Sequence, residues 1–403
     1  MTRIGLVYSA SGTDWLGGTN YLRNLLLAVT REAVGIELVA MVSERAEKSL
    51  SIPGTSTIRT DLFDRRSLSR WFRIAVREAT GRDLLAERLL RAHGIEVLSH
   101  SGVLGVGSRI PTINWIPDLQ HRRLPSYFDP KLLRFRDKAV SRVCRASTLV
   151  IVSSDCAKRD LETHFPVSKG RIRTLRFVDS LASDIEVEGQ TEFERRYQFR
   201  GPYFYVPNQF WVHKNHGVII EALRLLRSRG HRVQVIATGN TADYRRPAYF
   251  GELMQRRAEA GVESEFRCLG VVPYEDVAGL ARGAVALLNP SLFEGWSTSV
   301  EEAKSLGKAI LLSDIDVHRE QAPERGVYFP PNDAGALADL MWREWNQFDP
   351  DQEVRAAATA KQQLPARRLA FAQTYSAIAT EALTYASMGG DGRETDSRPS
   401  PSG

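Results

Sequence analysis

Two glutamates, Glu294 and Glu302, flank a short polar turn, Gly295-Trp296-Ser297-Thr298-Ser299. The segment leaves an apolar run, Val285–Leu288, and enters a helical pattern from Val300 to Leu306. Strand, turn and helix in that order put Glu294 at the carboxyl end of a strand and Glu302 one or two turns into the helix. The unpaired N–H groups of such a turn and the positive end of the helix dipole form a cradle for phosphate. A carboxylate on either side can accept hydrogen bonds from hydroxyls. The chemistry this spacing serves is capture of a phosphate attached to polyols. A plainer account is open from the same residues, since Ser or Thr followed by Glu is a common capping box and Glu302 could face solvent.

Other segments carry chemically able residues. Tyr205 to His216 reads as a strand, a turn and a helix start, with Lys214 near the helix N-terminus. The dipole disfavours a cation there, and an anion bound between them would reverse that penalty; a solvated lysine is the plain alternative. Near the N-terminus, the polar loop Ser9–Leu16 is closed by Gly17 and Gly18 ahead of an amphipathic helix. Glycines at a first strand-to-helix turn let backbone approach a ligand closely, or simply make the turn tight. The Gly-x-Gly-x-x-Gly spacing is absent, so this is no dinucleotide fingerprint. Asp118 and His121 follow the strand Thr112–Ile116 in a loop, where such residues are more often caps or surface groups.

The Glu294-Gly295 pair, the Glu302-Ala303 pair and the Gly307-Lys308-Ala309-Ile310 entry to the next strand follow one another along this segment. This segment resembles the Glu-x7-Glu motif of retaining glycosyltransferases of the GT-B fold, family 4 or group 1 type. The resemblance implies a nucleotide-diphosphate sugar as co-substrate, with no separate cofactor and no metal. Glu302 would accept from the ribose hydroxyls. Glu294 and the backbone of Gly295, Trp296, Ser297, Thr298 and Ser299 would position sugar and phosphates. Lys214 matches the family's diphosphate lysine, while Gln209 stands where relatives carry arginine and donates hydrogen bonds without charge. Gly17 and Gly18 match the family's Gly-Gly loop. Gly239 ends a strand on the donor side, and Val271 and Val272 fall where relatives contact the nucleobase. For Val271, core packing is the plain reading. Asp118 is retained on the acceptor side, although Pro117 replaces a histidine frequent in relatives. Asp314-Ile315-Asp316 has a metal-site spacing but sits at an unsuitable loop. The expected reaction is sugar transfer to a hydroxyl of a glycan or lipid-linked acceptor, in surface polysaccharide assembly. Gln209 and Pro117 keep open a non-catalytic, donor-binding scaffold subunit; a GT-B nucleotide-sugar epimerase is the other alternative.

The elements that must position these residues alternate along the chain. Apolar runs at Ile4–Tyr8, Glu37–Val42, Thr112–Ile116, Leu149–Ser153, Tyr203–Val206, Val233–Ala237, Val285–Leu288 and Ala309–Leu312 are separated by helical patterns such as Tyr21–Val29, Lys131–Cys144, His216–Arg227 and Pro273–Ala281. Alternation of this kind predicts an α/β fold with parallel sheets. A chain of 403 residues exceeds one core, so two doubly wound, Rossmann-like domains facing across a cleft are expected. The expected limits are 1–185 and 200–365, with 387–403 a disordered tail rich in Gly, Ser and Pro. By resemblance, the last helix (366–386) crosses back to the first domain.

The ordinary apolar (43%) and charged (25%) fractions fit a soluble protein, and no run reaches a membrane span. The N-terminus runs straight into a strand without the apolar core of a signal peptide. Three cysteines without metal spacing suggest reduced thiols and a cytoplasmic setting. The net charge of +6 owes much to Arg65, Arg66, Arg70, Arg73 and Arg77, interleaved with Leu68, Trp71, Phe72, Ile74 and Val76. Residues 65–77 thus read as a basic amphipathic helix, packing its apolar stripe on the domain or making peripheral contact with the inner, anionic membrane face. Nothing argues for a nucleic-acid partner.

Overall fold

The computed structural model describes residues 1–387 except 9–15, 33, 45–49, 51, 53, 65–66, 101–103, 106, 181–184 and 186–188. The chain divides into two compact units: unit 1 comprises Met1–Leu119, Lys131–Phe177 and Arg368 onward, and unit 2 comprises Gln120–Pro130 and Val178–Arg367. The polar loop Ser9–Trp15, Arg65, Arg66 and the tail from residue 388 lie outside the described residues.

Unit 1 holds a parallel seven-stranded sheet of β1 (Thr2–Tyr8), β2 (Ile36–Val42), β3 (Ser56–Arg59), β4 (Val97–Ser99), β5 (Thr112–Trp115), β6 (Leu149–Val152) and β7 (Ile172–Thr174), in spatial order 3-2-1-4-5-6-7. Unit 2 holds a parallel six-stranded sheet of β8 (Phe204–Val206), β9 (Val235–Thr238), β10 (Phe266–Gly270), β11 (Leu287–Asn289), β12 (Ile310–Ser313) and β13 (Gly326–Phe329), in order 10-9-8-11-12-13. Central strands such as β6, β8, β9, β11 and β12 are buried at every position, which is why they read as unbroken apolar runs.

Helices cover both sheets. In chain order they are α1 (Leu16–Glu32), α2 (Leu68–Thr80), α3 (Leu84–Ala92), α4 (Gln120–Arg123), α5 (Pro130–Ala146), α6 (Asp155–His164) and α7 (Gln190–Tyr197). Then follow α8 (His216–Ser228), α9 (Tyr249–Glu259), α10 (Tyr274–Gly283), α11 (Thr298–Leu306), α12 (Asp316–Gln321), α13 (Ala334–Gln347) and α14 (Pro350–Ser387). Both units are thus doubly wound, and each has one switch point: between β1 and β4, and between β8 and β11.

Two expectations change. Gly17 and Gly18 lie in the first turn of α1, not in a turn ahead of it. Their conformational freedom is absorbed by helix geometry, with Gly18 buried and Gly17 exposed. Helix α2 does form, but Leu68, Trp71 and Phe72 are exposed while Arg73 is buried. The Arg73 guanidinium lies 3.3 Å from Asp83 and 4.4 Å from the centre of the Phe63 ring. Leu68, Trp71 and Phe72 therefore do not pack on the domain, while Ile74 and Val76 are half-buried; ion pairing and a cation–π contact turn the Arg73 face inward.

Helix α14 starts earlier than its amphipathic pattern suggests and contains Pro365. Proline removes one helical N–H and bends such a helix, and the division between units falls just beyond it, at Arg367/Arg368. In unit 2 its Glu353 pairs with Lys308 and Arg325, each at 2.5 Å. In unit 1, Phe371, Ala372, Tyr375, Ile378, Ala379 and Ala382 are buried, at the spacing of one helical face. Arg368 pairs with Glu32 at 2.5 Å and Arg173 with Glu381. None of the described helices is long and apolar enough to cross a membrane.

The aromatic centre of unit 1 brackets its switch point. Tyr21 of α1 stacks on Trp115 at 3.9 Å and its hydroxyl lies 2.8 Å from Nε2 of His100, which follows β4. Burial pushes His100 down to about 3, so the ring is neutral. Tyr375 of α14 comes within 6.3 Å of that imidazole. Emptying this site by Tyr375→Ala is expected to cost about 3–5 kcal/mol, read by urea unfolding of the full chain; a loss below about 1 kcal/mol would mean the helix is not part of the core.

Candidate active site

In an open parallel sheet the crevice beyond the carboxyl ends of the two switch-point strands is where a ligand is held. In unit 2 those strands are β8 and β11, which diverge after a single paired position, Leu287 opposite Tyr205. The loops that follow them carry Gln209 to Lys214 and Glu294 to Ser299. Most of the chemically able residues singled out from sequence therefore emerge at one place.

The β8 loop is held from three sides. Phe210 stacks on His216 at 4.5 Å, and Asn215 takes a left-handed backbone (φ 54°) while its amide donates to the Pro331 carbonyl at 2.8 Å. The Phe210 N–H donates to the Asn240 carbonyl at 2.9 Å, and the Asn240 N–H returns to Oε1 of Gln209 at 3.0 Å. Gln209 thus spends its carbonyl on the fold and leaves its NH2 group as the donor. Gly239, φ +146°, lies under this loop: a Cβ there would stand 2.4 Å from the Asn208 carbonyl oxygen. Glycine is required at that position by backbone packing.

Lys214 closes the turn before α8, and its Nζ lies 2.5 Å from Oε1 of Glu294. The two side chains are 13% and 10% exposed, so this is a nearly buried ion pair rather than a solvated one. The anion that relieves a cation at a helix N-terminus is supplied by the chain itself. Glu294 also accepts from the Ser291 hydroxyl at 2.7 Å, and the Leu292 N–H donates to the His213 carbonyl at 2.8 Å. The two loops are thereby tied to each other. His213 and His216 are buried and held neutral, chiefly by desolvation, with Lys214 adding to the effect.

The capping-box reading of the next turn fails for a specific reason. Asn289, fully buried, donates to the hydroxyls of Ser297 (2.7 Å) and Ser299 (2.9 Å) while its Oδ1 accepts from the Ser291 backbone N–H (3.2 Å). The N-cap side chain is therefore occupied, and Ser297 makes no side-chain bond to the first N–H groups of α11. Gln321 grips the Ser297 backbone on both sides, at 3.0 Å each. With Ser297 as N-cap, the capping-box position falls on Val300, which has no polar group to return a bond, and Glu301 pairs with Arg367 at 2.6 Å. The helix N-terminus at Thr298 and Ser299 is left uncapped by side chains, as an anion site requires. Gly295 and Trp296 are buried beneath it.

Glu302 stands in a second group. Its carboxyl and that of Asp179 each lie 3.4 Å from the Tyr274 hydroxyl. Burial, reinforced by the Asp179 charge, pushes Glu302 up to about 8. It is not the solvated residue of the plain reading. Val271 and Val272 sit between β10 and α10, and Val271 is 55% exposed, so it does not pack in the core.

Within unit 1, Asp118 is half-buried after β5. In unit 2, buried His121 of α4 meets Phe128 edge-on. Sequence reasoning missed Asn289, Gln321, Asp179 and Arg245. The Arg245 side chain is buried, paired with Asp243 at 2.9 Å, donates to Gln120 at 2.5 Å, and lies over Trp211 and Phe128. A lone arginine in a polar loop carries no signal of such a role.

The two doubly wound sheets define the GT-B architecture. The chain superimposes on a glycosyltransferase of Rickettsia africae (TM-score 0.66, 14% identity, 95% of this chain and 98% of that one). It also matches Anabaena HepE solved with UDP-glucose (TM-score 0.63, 16% identity, 95% and 100%). Residues 202–346 match the family model described as glycosyl transferases group 1. A further relative is the O-antigen chain mannosyltransferase B of Escherichia coli, 26% identical over 235 residues, which span 55% of this chain and 59% of that protein.

Because the folded Glu302 carboxyl titrates far above its ordinary 4.5, the folded state holds a proton that the unfolded chain releases. Its contribution to stability is complete below about pH 4.5 and is lost as pH rises towards about 8. Thermal unfolding of wild type and Glu302→Gln between pH 5 and 8 should show the wild type losing stability relative to the variant; parallel curves would contradict the assignment.

Proposed function

We propose that this protein transfers a sugar from a nucleotide-diphosphate donor to a hydroxyl of a glycan or lipid-linked acceptor, with retention of configuration, in surface polysaccharide assembly. The observation that carries the reading is the uncapped N-terminus of α11 on the same switch-point loop as the Lys214–Glu294 pair. The donor diphosphate would lie on the N–H groups of Thr298 and Ser299, with Lys214 as its cation and the Gln209 amide as a further donor. As the glycosidic bond breaks, negative charge builds on the leaving phosphate, and groups already aimed there stabilise the transition state more than the ground state. Lys214 would exchange Glu294 for phosphate, and the freed Glu294 carboxylate would accept from the sugar hydroxyls.

Glu302 would take the ribose hydroxyls. A diol donating two hydrogen bonds favours the ionised carboxyl, so Glu302 would lose its proton as the donor binds. Val271 and Val272 would lie against the base, with Gly239 shaping the wall behind Gln209. Gly17, Gly18 and Asp118 would serve the acceptor side from unit 1. HepE is a structural neighbour solved with UDP-glucose, and the O-antigen mannosyltransferase is a relative named for building a surface glycan; both support this substrate class. Lys214 and the helix end would carry the charge that a divalent metal neutralises in other transferases, so the site residues include no metal ligand. The setting we propose is the cytoplasm.

Lys214→Ala should lower turnover of the nucleotide-sugar donor about 10²–10³-fold, with the folded state verified by circular dichroism; an unchanged rate would overturn the role. Chelation with EDTA should leave wild-type turnover intact, and a loss restored by Mg²⁺ would contradict the metal-free reading.

A further inference from the structure

The stripe on α2 is unusual in direction. Leu68, Trp71, Phe72, Ala75 and Ala79 recur at helical spacing and are all exposed; Leu68 is 86%, Trp71 61% and Phe72 64% exposed. Helices with this spacing normally bury it. Here Arg73 occupies the inward face, anchored on Asp83 and Phe63, so the outward direction is built into the packing.

Charge decides what could cover the stripe. The guanidinium of Arg70 lies 5.6 Å from the Trp71 ring. Helix α5 runs close by: Arg142 is near enough to Glu78 of α2 to help hold that carboxyl below its usual range, behind the larger effect of Arg77. Lys131, Arg134, Lys138, Arg142 and Arg145 of α5 are exposed, as is Phe135 at 67%. Together α2 and α5 carry nine basic residues against Glu78 and Asp137, a net +7 where the whole chain carries +6. The excess charge of the protein is concentrated on these two helices.

From this juxtaposition we infer that α2 and α5 form a docking face for an anionic lipid bilayer, with Trp71, Phe72 and Leu68 entering the headgroup region and the exposed cations of α5 facing acidic lipids. Exposed aromatic rings flanked by Arg and Lys suit a bilayer, where rings enter the interface and cations meet phosphate. A second copy of the chain would bring like charges together, which costs energy unless acidic groups intervene. The inference is independent of the donor site, since vesicle binding requires no sugar nucleotide.

Flotation of the full-length protein with vesicles tests it. Vesicles containing about one-third phosphatidylglycerol should capture the wild type, pure phosphatidylcholine should capture little, and added salt should weaken capture. Trp71→Glu with Phe72→Glu should reduce the partition about tenfold or more, with an unchanged circular dichroism spectrum because both residues are already exposed. Arg134→Glu with Lys138→Glu, which spares α2, should reduce it as well. Equal capture by both vesicle types, or undiminished capture of both variants, would overturn the docking face. Concentration-dependent dimerisation abolished by the Trp71/Phe72 variant would overturn it too, by assigning the stripe to a second copy.

Discussion

The ion pair between Lys214 and Glu294 joins two loops that the sheet itself cannot join. Strands β8 and β11 share one paired position, Leu287 opposite Tyr205, and their loops leave the sheet just beyond it. A carboxylate and an ammonium 2.5 Å apart, mostly out of water, hold them instead, with the Leu292-to-His213 backbone bond beside them. A buried pair of this kind gains little net stability because desolvation offsets attraction, while removing one partner is expensive. Under the proposed function its value would lie in keeping both charged groups at the crevice, each with a partner to exchange for the donor.

The rest of unit 2 serves that arrangement. Asn289 holds the hydroxyls of Ser297 and Ser299, Gln321 holds the Ser297 backbone and Oε1 of Glu301, and α11 has no side-chain cap. Gly239 allows the β8 loop to lie flat against the β9 loop. Arg245 draws the segment after Leu119 onto Trp211 through Gln120 and Phe128. On the other side of α11, Glu302, Asp179 and Tyr274 form a pocket in which two acids share little water, which raises the proton affinity of Glu302. An uncapped helix end thus stands between a preformed ion pair and a carboxyl that prefers its proton.

The fold was largely legible because buried parallel strands must be continuously apolar: Leu149–Val152, Ile310–Ser313 and their like announce themselves. The strands Ser56–Arg59, Ile172–Thr174 and Gly326–Phe329 escaped notice because they lie at sheet edges, where exposure breaks the apolar run. Val97–Ser99 is central but too short for periodicity to register. At the site, Lys214, Glu294 and Glu302 were visible as types at a spacing; their partners were not. Pairing between residues 80 positions apart, or the double grip of Gln321 on Ser297, depends on tertiary contact with no local signature. The α2 helix shows the opposite failure: its periodicity was legible, but its direction was decided by Arg73, Asp83 and Phe63.

The most direct test of this account is a crystal structure with a nucleoside diphosphate bound. The account predicts phosphate oxygens on the N–H groups of Thr298 and Ser299, the Lys214 ammonium moved from Glu294 to the diphosphate, and ribose hydroxyls on Glu302. A nucleotide seated away from the β8/β11 crevice, or one bound there with Lys214 still held by Glu294 and out of reach of phosphate, would contradict it.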